Sequence, residues 1–383
     1  MSQALTAFLR HIRSLPGLLP QLSETIELRA RQVLSTPDIY RIRQIILTGS
    51  GDSRIAAESA APALHAWTGL PVQAMGAMDA ARYLTMGMKK NSERLRGSLV
   101  VCVSHSGEAA RVVEAAQRTR AAGAQTLALT ANPDSRVGRA AANVLALSVQ
   151  DAGAVPGTSS YCASLLGLYL LGLRIAEVRL CISMDTANAL RGALTQLQAP
   201  MAHAIEVCEE PLAARAQAWA HCRVADILGS GPGAGAAAYS AAKLIEAVGI
   251  HAVSQDIEEF FHLNYFVADP MEVPTMVFAG ARSAGSSRAR ELCGILQDLG
   301  RPFLLLTDDA AFGPPEHSLV LPVVPEWLSP LLAVIPATLL AALWADRSGA
   351  DYFRGHSGRW RASQSGALVR GGGLDTASEE DDE

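Results

Sequence analysis

Short apolar runs that end in glycine or small polar residues alternate with longer helix-like stretches along most of the chain. Runs of four to six residues before a turn and a helical stretch are typical of strands buried on both faces of a parallel sheet. In the first half of the chain, the predicted strands are residues 44–48, 98–103, 125–130 and 144–149. The alternation predicts a doubly wound parallel sheet, that is, a three-layer α/β/α fold.

The same order of features returns in the second half of the chain. Gly229 follows Gly49 by 180 positions within matching Gly-Ser-Gly turns, and Gly300 follows Gly123 by 177 positions at the end of a predicted helix. Because chance rarely reproduces both order and spacing, we predict two homologous α/β domains in tandem.

The repeat sets the expected domain boundaries. We expect a helical lead-in at 1–40, a first domain at 41–184, a helical linker at 185–220 and a second domain at 221–360. The tail at 361–383 is Gly-rich and then acidic, and we expect it to be disordered. The stretch Ser14-Leu15-Pro16-Gly17 predicts a break within the lead-in, because proline and glycine interrupt helices.

Composition narrows the functional classes. The chain has 383 residues, of which 49% are hydrophobic and 18% charged, which indicates a large core and excludes global disorder. The formal charge is −5, and the five acidic residues at 379–383 account for it. The rest of the chain is therefore near neutral, so we expect no nucleic-acid partner.

Cysteine use and hydropathy indicate the compartment. The six cysteines include no Cys-x-x-Cys pair and no zinc-like spacing, so we expect a reducing cytoplasm and neither a metal nor another cofactor. The longest apolar runs, 162–173 and 331–344, are too short to span a bilayer. We therefore expect a soluble cytoplasmic protein with no membrane partner.

A cluster of small polar residues follows the second predicted strand, where a helix begins: Ser104, His105, Ser106, Gly107 and Glu108. Two hydroxyls, a glycine turn and the free N–H groups of a helix start can bind an anion such as phosphate. A simple serine cap of the helix is the equally weighted alternative.

Two other loops fall where ligands bind in open α/β sheets. Gly49, Ser50 and Gly51 follow the first strand, and Thr158, Ser159 and Ser160 precede a helical stretch. These loops could converge with the serine cluster outside the carboxyl ends of the strands. Such residues more often simply make turns.

A charged pair lies on a predicted helix of the second half. Lys243 and Glu246 are three residues apart, so they share a helix face within apolar surroundings. A carboxylate in this setting could act as a general base beside a stabilising ammonium, although spacing alone favours a solvated surface pair. His262 stands beside two phenylalanines, a setting more typical of a packed histidine than of a catalyst.

The glycine-rich stretch 229–235 does not predict a dinucleotide site. That motif requires an acidic residue at the end of the next strand, about 20 residues on. The acidic residue in this range is Glu246, which lies within the predicted helix.

Taken together, residues 41–360 resemble the sugar isomerase (SIS) family in its tandem-domain form, in particular the isomerase half of glucosamine-6-phosphate synthase and the fructosamine-phosphate deglycases. The segment Ser-His-Ser-Gly-Glu at 104–108 is similar to the family's phosphate loop, Ser-Gln-Ser-Gly-Glu. Ala-Lys-Leu-Ile-Glu at 242–246 is similar to its helix Leu-Lys-Leu-Lys-Glu, and Glu-Phe-Phe-His at 259–262 to its Glu-Leu-Lys-His. The 16-residue separation of Glu246 and His262 also matches.

The resemblance implies roles for these residues. Glu246 would transfer the proton between sugar carbons C1 and C2, with Lys243 beside it, and His262 would open the sugar ring from a neighbouring subunit. The phosphate would be held by Ser104, His105, Ser106 and Glu108, together with Gly49, Ser50, Gly51, Ser159 and Ser160. With this resemblance, we favour Glu246 as a general base, whereas the spacing alone favours a solvated surface pair.

Several positions depart from the family pattern. Ala109 replaces a threonine and Gly51 a serine, which removes two hydroxyl contacts to phosphate, and Tyr161 replaces a lysine. The family's His-Gly-Pro becomes His-Leu-Asn at 262–264. Its C-terminal loop lysine has no counterpart in register, and Arg359 lies one position away.

The resemblance implies a homodimeric enzyme of carbohydrate-derivative metabolism that isomerises, deaminates or deglycates a sugar phosphate or an amino sugar phosphate. No glutaminase half is recognised, so a separate glutaminase partner is a further expectation. Two alternatives stay open: a non-catalytic sugar-phosphate sensor, and an enzyme of specialised metabolism whose sugar-like substrate is not phosphorylated.

Overall fold

The computed structural model describes residues 3–88, 93–149, 156–350 and 367–374, which contain two five-stranded sheets. The first sheet has the order β2-β1-β3-β4-β5 and comprises β1 (Gln44–Gly49), β2 (Val72–Gly76), β3 (Ser98–Val103), β4 (Gln125–Thr130) and β5 (Asn143–Ala146). The second has the order β7-β6-β8-β9-β10 and comprises β6 (Val224–Gly229), β7 (His251–Gln255), β8 (Thr275–Phe278), β9 (Phe303–Thr307) and β10 (Ser318–Val320). Every pairing is parallel, so the prediction of tandem doubly wound α/β domains is confirmed.

Fourteen α-helices accompany these strands in the described part of the chain. They are α1 (Gln3–Ala30), α2 (Thr36–Arg41), α3 (Asp52–Thr68), α4 (Ala110–Ala121), α5 (Arg136–Ala140), α6 (Ser159–Val178), α7 (Met184–Gln196), α8 (Gln198–Trp219), α9 (Pro232–Lys243), α10 (Ile257–His262), α11 (Ser286–Asp298), α12 (Ser329–Leu332), α13 (Val334–Arg347) and α14 (Ala367–Arg370). Helices α7 and α8 cover the stretch where the linker is expected.

The internal repeat extends to backbone conformation. Gly51 precedes α3 with φ 56° and ψ −133°, and Gly231 precedes α9 with φ 56° and ψ −130°. Positive φ is readily available only to glycine, so both copies need this residue at the same point of the strand-to-helix turn. The two sheets also share one strand order, as expected for a duplicated domain.

The chain divides into two compact units, one around each sheet. The first unit contains mainly residues 19–149, 159–195 and 367–374, and the second mainly residues 196–350. Helix α1 belongs to both, because residues 3–18 group with the second unit and residues 19–30 with the first. This assignment is not visible in the sequence, where 1–40 reads as one separate lead-in.

Helices cover both faces of the first sheet. On one face, α3 and α6 are so close that a Cβ on Gly172 would lie 2.7 Å from Leu64, so only glycine fits there. On the other face, Val112, Val113 and Val137 of α4 and α5 pack against alternate strand residues. The alternation of buried side chains between the two faces produces the apolar runs seen in the sequence.

A buried ion pair anchors the second sheet. Arg301 is 2% exposed; its guanidinium pairs with the Asp226 carboxylate of β6 and donates to Thr275 Oγ1 (2.7 Å), to the Val273 carbonyl (3.1 Å) and to the Asn264 carbonyl (3.1 Å). Burial lowers the pKa of Arg301, and the Asp226 carboxylate opposes this shift. The pair therefore ties the segment between α10 and β8 to the sheet.

The predicted break at Ser14–Gly17 is wrong, because α1 runs through this stretch. A proline within a helix removes one backbone hydrogen bond and normally kinks or ends it. Here Ile12, Leu15 and Leu19 are fully buried, at 0–1% exposure. Tertiary packing of this apolar face outweighs the local signal.

Part of the expected C-terminal tail is ordered. Residues 361–366 and 375–383 lie outside the described part of the chain, but α14 and the residues after it lie against the first unit. Arg136 donates to the Arg370 carbonyl at 2.8 Å, Arg111 donates to the Gly373 carbonyl, and Leu374 packs on the α4 face.

Two helical segments, Ser159–Val178 and Glu326–Arg347, have the length and hydropathy of membrane spans. The prediction that the apolar runs are too short therefore does not hold for the helices that contain them. Their most apolar windows are 83% and 89% buried within the protein, which is typical of core helices.

Candidate functional site

The switch point of the first sheet lies between β1 and β3, because the chain adds β2 on one side of β1 and β3 on the other. Gly49 ends β1, Ser50 and Gly51 follow it, and the turn at 104–108 follows β3. Parallel strands bring these two loops to one edge of the sheet, where ligands bind in open α/β folds. The topology therefore puts two of the three predicted loops at the same edge of the sheet.

The Ser104–Glu108 turn is held by the loop after β4. The His105 carbonyl accepts from the Ala131 N–H at 3.0 Å and from Thr130 Oγ1 at 3.2 Å. Glu108 Oε1 accepts from the Arg136 N–H at 3.3 Å. Glu108 thus holds the turn in place by accepting from the backbone of α5, as the His105 carbonyl does by accepting from Thr130 and Ala131.

The start of α4 leaves backbone donors without a side-chain acceptor. Its N-cap is Ala109, which makes no side-chain capping hydrogen bond. The Ser104 side chain is buried at 5% exposure and Ser106 is exposed, so one hydroxyl faces the interior and the other the solvent. An anion bound at the turn would be a cap for this helix.

We expect Gly107→Ala to destabilise the first unit more than an ordinary glycine substitution. Gly107 has φ +70°, and an added Cβ would lie 1.9 Å from Ser135 Oγ and 2.9 Å from Thr130 Oγ1. The positive φ alone costs about 1–2 kcal/mol for alanine, and the clash adds to it. Urea unfolding measures the total.

Gly69→Ala is the matched control for this substitution. Gly69 ends α3 with φ +65° and has no atom within 4 Å of an added Cβ. It should show the conformational cost alone, at about 1–2 kcal/mol. Equal losses in the two variants would show that the turn at Gly107 has room, against its described geometry.

The first residues of α6 are largely buried. Ser159 is buried, and Ser160 uses its carbonyl to accept from Ser164 Oγ at 2.8 Å. Tyr161, where the family has a lysine, is 1% exposed and its hydroxyl is 3.1 Å from Ser59 Oγ. Burial raises the pKa of this phenol, so it is a core residue in place of a cationic ligand group. Arg359 lies outside the described residues.

Lys243 and Glu246 form an ion pair of unequal exposure in the second unit. Lys243 Nζ lies 2.6 Å from Glu246 Oε2 and 5.1 Å from the centre of the Tyr239 ring. The lysine side chain is fully buried, whereas the glutamate side chain is 46% exposed. This geometry is not that of a solvated surface pair, because the ammonium is in the core and only the carboxylate reaches solvent.

A π-helical turn carries the glutamate, a feature that sequence reasoning missed. Helix α9 ends at Lys243, and Leu244–Val248 continue as the wider turn. Gly249 closes it with φ 81° by donating its N–H to the Leu244 carbonyl at 3.0 Å. Such turns interrupt α-helices most often at functional sites. The sequence signal nearest to this turn is Gly249, but a glycine at this place indicates only the end of a helix and not a π-helical turn.

His262 is the last residue of α10. Its side chain is 64% exposed, and its Nε2 lies 3.2 Å from Glu258 Oε1. Arg288 pairs with the same carboxylate at 2.6 Å, and Arg288 and His262 together hold the pKa of Glu258 below its ordinary value. His262 is therefore an exposed histidine on an acidic partner and not a packed core residue.

No group of three or more metal-ligating side chains occurs within residues 3–88, 93–149, 156–350 and 367–374. A model of the SIS domain family matches residues 38–174, the segment that contains the first sheet and the serine turn. Residues 38–174 are a SIS domain. The sheet order, the switch-point loops and the Ser104–Glu108 turn described above are thus features of this domain.

The likeness extends beyond the matched SIS domain. The glutamine–fructose-6-phosphate aminotransferase (isomerizing) of Corynebacterium diphtheriae is 25% identical over 315 residues, which cover 81% of this chain and 49% of that protein. The chain thus spans about half the length of this curated relative, corresponding to its isomerase half.

Solved structures show the same fold. The C-terminal domain of glucosamine-fructose-6-phosphate aminotransferase from Francisella tularensis superposes with a TM-score of 0.78 at 18% identity, over 90% of this chain and 97% of that one. Glucosamine-6-phosphate deaminase from Thermotoga maritima gives 0.69 at 16% identity, over 90% and 96%. The fold of these solved structures therefore extends over both halves of the chain.

Proposed function

We propose that the protein is an enzyme of sugar phosphates or amino sugar phosphates in which Glu246 moves a proton between adjacent carbons. The carboxylate takes the proton from the carbon next to a carbonyl or imine, which gives an enediol or enolamine. The resulting carboxyl group, whose side chain is 46% exposed, exchanges its proton with water and then protonates the neighbouring carbon. The net reaction is aldose–ketose isomerisation, or loss of ammonia when water hydrolyses an imine. The curated relative and the Thermotoga deaminase act on substrates of this class by their names.

The single observation that carries this proposal is the buried ammonium behind a half-exposed carboxylate. A lysine is rarely fully buried without a partner, and Lys243 is both fully buried and 2.6 Å from Glu246. Attraction between the charges favours the ionised form of Glu246, which is the form that a base needs. The packing of Lys243 in the core also holds the Glu246 carboxylate in one position. A surface ion pair would provide neither the ionised form nor the fixed position.

Anion binding is assigned to the Ser104–Glu108 turn of the first unit. The open N-terminus of α4 and the exposed Ser106 hydroxyl supply donors that suit a phosphate. The glycine turn lets the backbone approach the anion closely. With Ala109 and Gly51 in place of hydroxyl residues, we expect weaker phosphate binding than a site with all four hydroxyls would give.

His262 is assigned to ring opening across a homodimer. Its side chain is exposed, as a residue lent to another subunit must be. The residues that follow it are also unusually apolar for a surface: Leu263, Tyr265, Phe266 and Met271 are 59%, 37%, 72% and 71% exposed. A contiguous exposed apolar segment of this kind is typical of a protein interface. We take a second copy of the chain to be its partner.

Turnover of defined sugars tests the function. Fructose-6-phosphate, glucosamine-6-phosphate and a fructosamine-6-phosphate are supplied separately, with ammonium chloride added to the first as a nitrogen source. Conversion of any of them supports the proposal, and conversion only with ammonium would indicate a need for a glutaminase partner. Thermal stabilisation by all three without product would instead indicate a sensor.

Mixed dimers test the shared site. Glu246→Gln and His262→Asn chains should each be nearly inactive. If His262 acts across the dimer, co-expression gives mixed dimers with one intact site, and roughly a quarter of wild-type activity returns from random pairing about a two-fold axis. Activity that stays at the level of the separate variants would place His262 and Glu246 in the same subunit's site, or His262 outside the mechanism.

A further inference from the structure

The second sheet borders a cavity of about 450 Å³ that the proposed reaction does not use. Its walls include Ser230 after β6, Phe278 at the end of β8 and Thr307 at the end of β9. The volume is in the range of small-molecule sites. The position, between β6 and β8, is the switch point of the second sheet.

This cavity stands where the first unit has its anion turn. The Ala279 N–H donates to the Leu306 carbonyl at 3.0 Å, just as the Ser104 N–H donates to the Leu129 carbonyl at 3.0 Å. Ala279 thus takes the place of Ser104, and two residues later Ala281 takes the place of Ser106. Both hydroxyls of the anion turn are missing at these two positions, which removes two donors that a phosphate would use.

The charged side chains that line the cavity have a net negative charge. Asp308 accepts from the Ala281 N–H at 2.6 Å and pairs with Arg282 at 3.0 Å, which neutralises it in part. Glu326 is exposed at the rim, and its Oε1 would be 3.9 Å from a Cβ on Gly231. Its carboxylate makes no hydrogen bond or ion pair within the described residues. Two carboxylates and one guanidinium attract a cation and repel a phosphate.

The remaining wall is mostly apolar, with a few hydroxyls between. The apolar side chains are Phe278, Leu306, Leu321, Pro322, Val323 and Leu332. Thr307 is 2% exposed, and its hydroxyl has no hydrogen-bond partner among the residues the structure describes, whereas Thr130 in the first unit donates to His105. Apolar walls with a few polar groups suit a ring with one apolar face.

We propose that this cavity binds a cationic small molecule of monosaccharide size, such as an unphosphorylated amino sugar. Its ammonium group is placed at Glu326 and Asp308, and its apolar ring face against Leu306 and Leu321. The two copies of the duplicated domain thereby bind ligands of opposite charge: an anion in the first unit and a cation in the second.

Calorimetric titration with glucosamine tests this proposal, with glucose as the neutral probe of the same shape. Inorganic phosphate is present at a saturating concentration to occupy the anion turn. We expect one glucosamine per chain and much weaker binding of glucose. Glu326→Gln should weaken glucosamine binding about tenfold, the scale of one charge-assisted hydrogen bond. Asp308→Asn, which keeps an acceptor for the Ala281 N–H, should act in the same direction.

Two controls separate the cavity from other sites. Glu316→Gln removes an exposed carboxylate of the same unit that does not line the cavity, and it should leave glucosamine affinity unchanged. Glu206→Gln, which removes another exposed carboxylate of this unit outside the cavity, should also leave it unchanged. No glucosamine binding, equal binding of glucose, or affinity insensitive to both Glu326→Gln and Asp308→Asn would overturn the proposal.

Discussion

Glu246→Gln is expected to lower kcat for the sugar phosphate by about 10²–10⁴-fold, the usual contribution of one general base. The amide cannot accept the carbon-bound proton, but its carbonyl still accepts from the Lys243 ammonium, whose Nζ is 2.6 Å from the carboxylate in the native chain. KM should therefore change little, whereas thermal stability should fall, because the fully buried Lys243 ammonium loses its counter-charge. Steady-state assays on the substrate that the wild-type protein converts give both constants.

Glu206→Gln is the matched control for this loss. Glu206 also lies three residues after a basic residue on a helix, and its carboxylate is 3.3 Å from His203, but its side chain is 75% exposed. Its replacement should leave kcat unchanged. If Glu246→Gln converts the substrate at the wild-type rate, Glu246 is not the base, and another side chain must transfer the proton.

Arg301→Met is expected to cost about 3–5 kcal/mol of unfolding free energy, because it leaves the buried Asp226 carboxylate without its cation. The loss includes the donors to Thr275 Oγ1 and to the carbonyls of Val273 and Asn264. Urea denaturation of the full chain, followed by far-UV circular dichroism, measures the change.

Two further variants give this stability prediction its control. Arg223 is exposed in the same unit, so Arg223→Met should change stability by less than about 0.5 kcal/mol. Replacing both charged partners, as Arg301→Met with Asp226→Leu, should recover much of the loss, because no lone charge remains buried. A cost near zero for Arg301→Met alone would mean that Asp226 finds another partner or water.

The fold was readable from the sequence because parallel strands leave a strong signal. Strands buried on both faces carry apolar runs, such as residues 99–103 of β3 and 127–129 of β4, and the turns after them need glycine or serine. The duplication doubled this evidence, since the turn at Gly51 recurs at Gly231 with the same dihedral angles. Local pattern and tertiary structure agree at these places.

The sequence failed where tertiary packing overrides local preference. Pro16 and Gly17 predict a break that the buried face of α1 overrides. The burial of Lys243 could not be read from its spacing to Glu246, because exposure depends on what covers the helix. Arg301 and Asp226 are 75 positions apart, and no local pattern predicts that such residues will pair.

The candidate site was readable only in part, for a related reason. Motif likeness indicated Ser104, Ser106, Ser160 and Glu246, and it marked Tyr161 as a departure from the family's lysine, but it did not show that this phenol is buried. A motif preserves residue type and order, whereas the direction of a side chain depends on its neighbours. The cavity of the second unit left no motif, because its lining comes from five separate segments.

Hydrogen exchange at the substrate carbon tests the role of Glu246 most directly. The protein is incubated with fructose-6-phosphate, or with glucosamine-6-phosphate, in D2O, and deuterium at C1 or C2 is followed by proton NMR. We expect the wild-type protein to incorporate deuterium at the carbon next to the carbonyl or imine. We expect Glu246→Gln to do so at least about 10²-fold more slowly. Conversion of substrate without exchange in the wild-type protein, or equal exchange in both proteins, would contradict it.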